Sequence, residues 1–301
     1  MRTLDFDEKT LPFPDRPDFP KRLSERLAAG KVSPAQARLL ENWSRDGYVL
    51  LPQAIPEELI DAVLADYERG WEERPPVSVM SEGLGAVPWR QMPPRSELSH
   101  HHYRVLDIQD WSLAARRVML HENIVSFLAA MLDDTVIAMQ SLLFEYSSEQ
   151  HAHQDFAYVQ SRILSHLAGA WVALEDVSSA NGGVCYFPGS HRIPKFDWGN
   201  GQLYYDATKA GGELLFAEHL ERECAAAGIS RQVLDAKKGD VFLWHAALVH
   251  GGATPDDRER TRLSFVSHYS SATAYPRDRR FPDREPNRFK LNGAELYVPN
   301  G

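Results

Sequence analysis

The residues best suited to chemistry fall in HAHQDFAYV, positions 151–159. His151, His153 and Asp155 occupy alternate positions, and alternation is how a β-strand brings side chains to one face. A second group stands in DVFLWHAALVHGG, residues 240–252, which holds His245 and His250. Arg262 and Ser264 follow in TRLSFVSHYS and share a face if that stretch is a strand. Two imidazoles and one carboxylate on one face of an octahedral metal leave three positions open. That set suits iron(II), with two open positions for a bidentate keto acid and one for dioxygen. A strand supplies the His-x-Asp pair because i and i+2 point the same way. The third ligand must then come from another strand, so a long sequence gap is expected. A buried arginine is a bidentate partner for a carboxylate. Its charge is costly to bury without an anion, which a dicarboxylate co-substrate would provide.

Each of these residues also has an ordinary role open to it. His-x-Asp pairs occur on solvated strands, His250 could sit at a barrel end, and Arg262 could serve a surface ion pair. Taken in order, with hydrophobic strands around each, they form a set that such roles do not explain. His151 with His153 is a rival ligand pair, because His-x-His serves other metal-binding barrels. That pairing would make a non-catalytic metal-binding β-barrel protein. His153 with Asp155 is preferred. His100, His101 and His102 read as loop, since consecutive residues chelate one ion poorly. His245 reads as core or as support for a ligand. Phe156, Tyr158 and Trp244 flank the ligands in sequence and are candidates to line a substrate pocket. Arg104, Arg162, Arg192 and Lys195 are candidate anion contacts.

These residues need elements to hold them. Residues 1–30 are charged and proline-rich and read as an extended arm, either free or packed on the body. In VSPAQARLLENWSRDGYVLLP, Ser33 is an N-cap, Pro34 suits the first helical position, Gln36 completes a capping box and Gly47 ends the helix. Tyr48–Leu51 then reads as a short strand. IPEELIDAVLADYERGW carries a helical apolar stripe. Residues 71–104 show no period and read as an irregular segment, a candidate active-site lid. Residues 111–132 read as helix broken near Asn123, with Asn123 as a second cap. From Thr135 the pattern becomes strand-like: TVIAMQSLLFEY, ILSHLAGAWVALEDV, GGVCYF, RQVLDA, VFLWHAALVHGG and TRLSFVSHYS, punctuated by turn signals. Residues 272–301 read as a polar surface tail. Helices first and strands later predict an antiparallel barrel or sandwich with a helical layer outside it. There is no internal repeat.

The bulk properties narrow the partners. An apolar fraction of 43% can fill a sizeable core in one domain spanning residues 1–301. A formal net charge of −9 makes nucleic acid or an anionic membrane a poor partner. Two cysteines, Cys185 and Cys224, are too few for a disulfide framework. The N-terminus has no signal-like apolar region, and no stretch is long and apolar enough to span a bilayer. The expectation is a cytoplasmic protein acting on a small molecule, with homo-oligomerisation left open.

With these residues in hand, the chain resembles the phytanoyl-CoA dioxygenase family of iron(II)/2-oxoglutarate oxygenases. NWSRDGYVLLPQAIPEELIDAV looks like that family's opening, and HQDFAYV like its His-x-Asp strand. WVALEDVSSANGGVCYFPGSH is similar to its central stretch, and KKGDVFLWHAALVHGG followed by Arg262 to its closing strands. The resemblance implies a mainly β double-stranded β-helix, or jelly roll, with a supporting helical layer. It implies Fe(II) on His153, Asp155 and His250, and Arg262 gripping the distal carboxylate of 2-oxoglutarate. It implies Gln140 hydrogen-bonded to the co-substrate and Trp171 near the metal. The implied activity uses O2 and 2-oxoglutarate to hydroxylate a C–H bond of a small metabolite, releasing succinate and CO2. Related halogenases replace the carboxylate by a small residue, so Asp155 favours hydroxylation. One position departs from the pattern. Gly252 stands where many members carry serine or threonine that helps bind the co-substrate. Ser264 or Thr254 would have to compensate, or water. No cluster of basic residues suited to a CoA thioester is evident.

Overall fold

The computed structural model describes residues 4–81, 85–98, 103–206, 208, 212–278, 280 and 287–299. The chain opens with α1 (Phe19–Ala28), α2 (Pro34–Asp46), β1 (Tyr48–Leu51) and α3 (Glu57–Glu73). Then come β2 (Ser78–Ser81), β3 (Gly85–Pro88), β4 (Tyr103–Leu106), α4 (Leu113–Met119) and α5 (Glu122–Leu132). The strand-rich part holds β5 (Val136–Phe144), β6 (Leu167–Ala173), β7 (Val184–Tyr186), α6 (Gly212–Ala226) and β8 (Gln232–Val233). It ends with β9 (Val241–His245), β10 (His250–Gly252), β11 (Ser264–Ser271), β12 (Asn287–Leu291) and β13 (Ala294–Val298).

Two sheets result. The larger runs β1-β9-β6-β11-β5-β4-β2-β3 with antiparallel neighbours, and the β12–β13 hairpin joins it through a parallel pairing of β13 with β5. The smaller runs β10-β7-β8. Period-2 alternation decides which side chain faces which layer. On β6, Ala168, Ala170 and Val172 pack toward the helices, while Trp171 and Ala173 face the interior. On β9, Val241 and Leu243 face the helices, and Phe242 and Trp244 the interior. Leu40 and Trp43 of α2, Ile60 and Val63 of α3, Val118 of α4 and Leu128 of α5 cover the outer face. The inner faces of the two sheets meet through Trp171, Phe242, Trp244 and Val266 on one side and Val184 and Tyr186 on the other. This is a jelly roll with a helical layer on its larger sheet.

Local signals explain the entry into the sheet. The Ser33 hydroxyl accepts from the Gln36 N–H, and the Gln36 side chain accepts from the Ser33 N–H, a complete capping box. Gly47 ends α2 at φ 78°, and its N–H donates to the Trp43 carbonyl at 2.8 Å. A Cβ at position 47 would lie 2.5 Å from His191 Nδ1, so glycine is required there for space as well as for backbone.

Several expectations are corrected. Residues 4–30 are not an extended arm. Two short 3-10 turns and α1 bury Phe13, Phe19 and Leu23, and Asp15 bonds the His245 ring at 3.0 Å. Charge and proline content masked three well-spaced apolar anchors. The described part of residues 71–104 is not irregular. α3 continues to Glu73, and β2, β3 and β4 extend the large sheet; His100, His101 and His102 lie outside the described residues. The helical break comes earlier than Asn123. The His121 ring caps α5, and the Asn123 side chain donates to the Ala54 carbonyl instead. Part of 272–301 is a hairpin whose Ala294 and Leu296 join the main core. α6 was not anticipated amid the strands, although Phe216, Ala217, Leu220 and Cys224 form a helical buried stripe. No described helix is long and apolar enough to cross a membrane.

The packing of the N-terminal segment is testable. Phe13→Ala should lower the unfolding free energy by about 3–5 kcal/mol in a denaturant titration, as for other buried aromatics. A loose arm would give almost no change.

Candidate metal centre

The stretch 151–159 is not a regular strand. His153 forms a single antiparallel bridge with His250, its N–H donating to the His250 carbonyl at 2.9 Å and its carbonyl accepting at 3.0 Å. Asp155–Ala157 then turns as a 3-10 helix. The Gln154 side chain ties this turn down by donating to the Ala247 carbonyl at 2.6 Å. The turn swings Asp155 toward the large sheet, while His153 and His250 stay beside the small one.

His153, Asp155 and His250 each offer a ligand atom, all within 4.8 Å of one another; Asp155 and His250 are buried, and the His153 side chain is 12% exposed at the mouth of the outer cavity. The Asp155 Oδ1 lies 3.6 Å from His153 Nε2 and 3.5 Å from His250 Nε2. Each imidazole is anchored by its other nitrogen. His153 Nδ1 bonds the His151 carbonyl at 2.8 Å, and His250 Nδ1 bonds the Leu248 carbonyl at 3.0 Å. A carbonyl only accepts, so both Nδ1 atoms carry a proton and Nε2 is the atom each ring turns to the shared site. Burial pushes His250 down to about 4 against the pull of Asp155, which keeps it neutral and able to ligate at pH 7.

Asp155 is held from behind. Trp244 Nε1 donates to its Oδ2 at 2.7 Å, and His268 Nε2 bonds the same oxygen at 3.2 Å. Burial alone would raise this carboxyl. Its contacts with the His250, His268 and His153 rings outweigh that and hold the group well below the usual range. One oxygen is therefore tied and the other is turned to the metal position. His268 is itself oriented by Gln140, whose amide nitrogen lies 3.2 Å from its Nδ1. Gln140 faces inward because of a bulge: β11 pairs His268 with Gln140 but Tyr269 with Ala138, leaving Met139 as the extra residue. Trp244 reaches Asp155 across Gly169, where a Cβ would lie 2.2 Å from the indole. The role of His268 was missed in the sequence. The signal was present, since 262, 264, 266 and 268 alternate along one strand face.

Arg262 lines the same inner cavity of about 70 Å³ as the three candidate ligands. It is 3% exposed, and among the described residues its guanidinium donates only to the Ser264 hydroxyl at 3.1 Å and the Tyr146 carbonyl at 3.3 Å, with no partner for its Nε. Burial pushes Arg262 down to about 10, with only Glu175 opposing. Ser264 thus serves Arg262. Trp171 lines the cavity as expected. Gln140 does not line it, because its amide is engaged with His268.

The remaining candidates separate by location. Tyr158 lies at the rim, edge-on to His153 at 5.9 Å. Phe156 is core, packed edge-on against Phe6 at 5.1 Å, and Trp244 holds Asp155. The His151 side chain faces the outer cavity and is not part of the ligand cluster. Lys195 and Arg192 bond backbone carbonyls at the N-terminal side, and Arg162 lines a separate cavity. The departure at Gly252 has a steric cause. A Cβ there would lie 2.6 Å from both the Glu149 nitrogen and the Ser148 Oγ. The Ser148 side chain stands where a larger residue 252 would project, and it lines the inner cavity.

The supports of Asp155 should be measurable apart from turnover. His268→Ala and Gly169→Ala should each weaken metal binding about 10–100-fold in anaerobic calorimetry, the usual effect of losing such support. Unchanged affinity in both would remove the argument for His268 and Trp244.

Comparison with known proteins places this geometry. The model of the phytanoyl-CoA dioxygenase family matches residues 43–259. The human peroxisomal phytanoyl-CoA dioxygenase is 20% identical over 255 residues, covering 77% of this chain and 68% of that protein. A probable phytanoyl-CoA dioxygenase of Caenorhabditis elegans is 24% identical over 168 residues, covering 50% of this chain but only 47% of that one. Among solved structures, EctD from S. alaskensis superposes with a TM-score of 0.60 at 17% identity, covering 89% of this chain and 88% of that one. The epimerase SnoN, solved with Fe3+, alpha ketoglutarate and nogalamycin RO, gives 0.57 at 23% identity, covering 89% and 96%. The structures establish likeness of fold, and the family match spans most of the ordered motifs, including the His153, Asp155 and His250 positions. The chain belongs to the phytanoyl-CoA dioxygenase family.

Proposed function

We propose that the protein is a single-domain iron(II)- and 2-oxoglutarate-dependent oxygenase that hydroxylates a C–H bond of a small-molecule metabolite. The carrying observation is Arg262, a buried cation without a carboxylate partner among the described residues, in the cavity that also holds two imidazoles and one ionised carboxylate. That donor set fits iron(II) with three positions free, and the orphaned guanidinium fits the distal carboxylate of a keto acid. Iron(II) and 2-oxoglutarate would supply the activation of dioxygen, with succinate and carbon dioxide as co-products.

The chain's own residues do the rest. Trp244 and His268 fix the carboxylate plane of Asp155, and the His151 and Leu248 carbonyls fix both imidazoles. Leu142, Val184, Val266 and Trp171 line the inner cavity with apolar surface beside these polar groups. Asp155 leaves no vacancy for a halide, which favours hydroxylation. The substrate reaches His153 through an outer cavity walled by β2 and β3, the part of segment 71–104 placed to cover it. Two free, buried cysteines accord with action in the cytoplasm.

Anaerobic addition of iron(II) and then 2-oxoglutarate should produce the weak visible charge-transfer band of a metal-chelated keto acid. His250→Ala should abolish it. Arg262→Gln should raise the 2-oxoglutarate concentration needed by roughly 10–100-fold, the loss of a charge-assisted pair. His151→Ala should leave the band in place. A bound metal with no band, or a band lost in His151→Ala alone, would point to the His151/His153 set and overturn the proposal. Admitting oxygen should then yield succinate in the wild type only.

A further inference from the structure

The outer cavity, about 480 Å³, opens from His153 toward β4 and β2 and carries a second unclaimed cation. On β4, Tyr103 and Val105 pack into the helix-side core, so Arg104 turns to the interior. It is half-buried, and among the described residues it has no carboxylate within ion-pair distance. Its Nη2 approaches only the Met80 sulfur at 3.0 Å, and its Nε is buried without a partner. Burial lowers its pKa, and the one charge opposing that is Glu213, on the same cavity. The other acid lining the cavity, Glu149, is neutralised by Arg258 at 2.5 and 2.9 Å.

Phe144 sharpens the point. The Arg262 guanidinium lies 5.5 Å from its ring centroid and that of Arg104 lies 5.7 Å away. Two guanidinium groups thus flank one aromatic ring inside the barrel. A buried guanidinium is stabilised by an anion of its own. The reading above gives Arg262 its anion and leaves Arg104 without one.

We propose that Arg104 docks a carboxylate of the primary substrate, so that the protein acts on a small monocarboxylic acid held on β4 with its oxidisable carbon near His153. For the oxidation this rests on the oxygenase reading; for the binding it does not. A planar guanidinium matches a carboxylate in two parallel hydrogen bonds. A phosphate dianion would want more donors than one arginine, and Glu213 would repel its second charge.

The test uses the full chain, with and without iron(II) and 2-oxoglutarate, under anaerobic conditions. The probes are hexanoate and 3-phenylpropanoate, their primary amides, and hexyl phosphate, followed by calorimetry and tryptophan fluorescence. The wild type should bind at least one acid about tenfold more tightly than its amide, the scale of one charged hydrogen-bonded contact. Arg104→Gln should lose that preference, Arg104→Lys should keep part of it, and Arg262→Gln should keep it in full. Circular dichroism and melting temperature show whether each variant is folded. Equal binding of acid and amide, no binding of either acid at millimolar concentration, tighter binding of the phosphate, or loss in Arg262→Gln but not in Arg104→Gln would each overturn it. Because the unloaded arm contains neither iron nor keto acid, failure of the oxygenase reading would leave its result standing.

Discussion

Removing an ionised carboxylate from water costs several kcal/mol unless charge and hydrogen bonds offset it. Asp155 is buried and ionised, and much of the surrounding structure serves that fact. One of its oxygens takes an indole N–H and an imidazole nitrogen, and the other faces the Nε2 atoms of two imidazoles. A cation between the three groups would draw on all of them at once. Each supporting atom depends on a backbone feature several strands away. Trp244 needs the missing Cβ of Gly169, and Gln140 needs the β5 bulge to meet His268. The ligands are rigid because the scaffold is committed to them.

The two sheets divide the work. The larger is covered by helices on one face and turns its other face inward, so its cations, Arg262 and Arg104, lie at two depths along one wall. The smaller carries His250 and, through the bridge, His153. The metal position therefore lies at the seam, with imidazoles from one side and the braces of Asp155 from the other. A change in sheet separation would alter ligand distances directly. The aromatic and aliphatic contacts between the sheets, Trp171, Phe242, Val184 and Tyr186 among them, set that separation.

Local features were legible in the sequence because local physics fixes them. The Ser33 capping box, the Gly47 terminus and the strand Tyr48–Leu51 all follow from short-range patterns. What escaped depends on distant pairing. Gln140 reads as a ligand contact until the bulge against His268 is seen. Phe156 reads as a pocket residue until Phe6, far away in sequence, is found against it. Residues 71–104 lack a period because β2, β3 and β4 are only four residues each and are stabilised by their neighbours rather than by their own pattern. The N-terminal segment misled for a related reason, since Phe13 and Phe19 are isolated anchors in a polar run.

The contact between Gly252 and the 148–150 turn has a bearing on descent. Neither position is free to drift alone. A side chain at 252 collides with the turn, so the turn must first be rebuilt before serine or threonine can be admitted there. In the other direction, glycine at 252 lets the turn sit close against the strand, so the two segments are coupled sterically. A chimera that exchanges only one of the two segments should fold poorly.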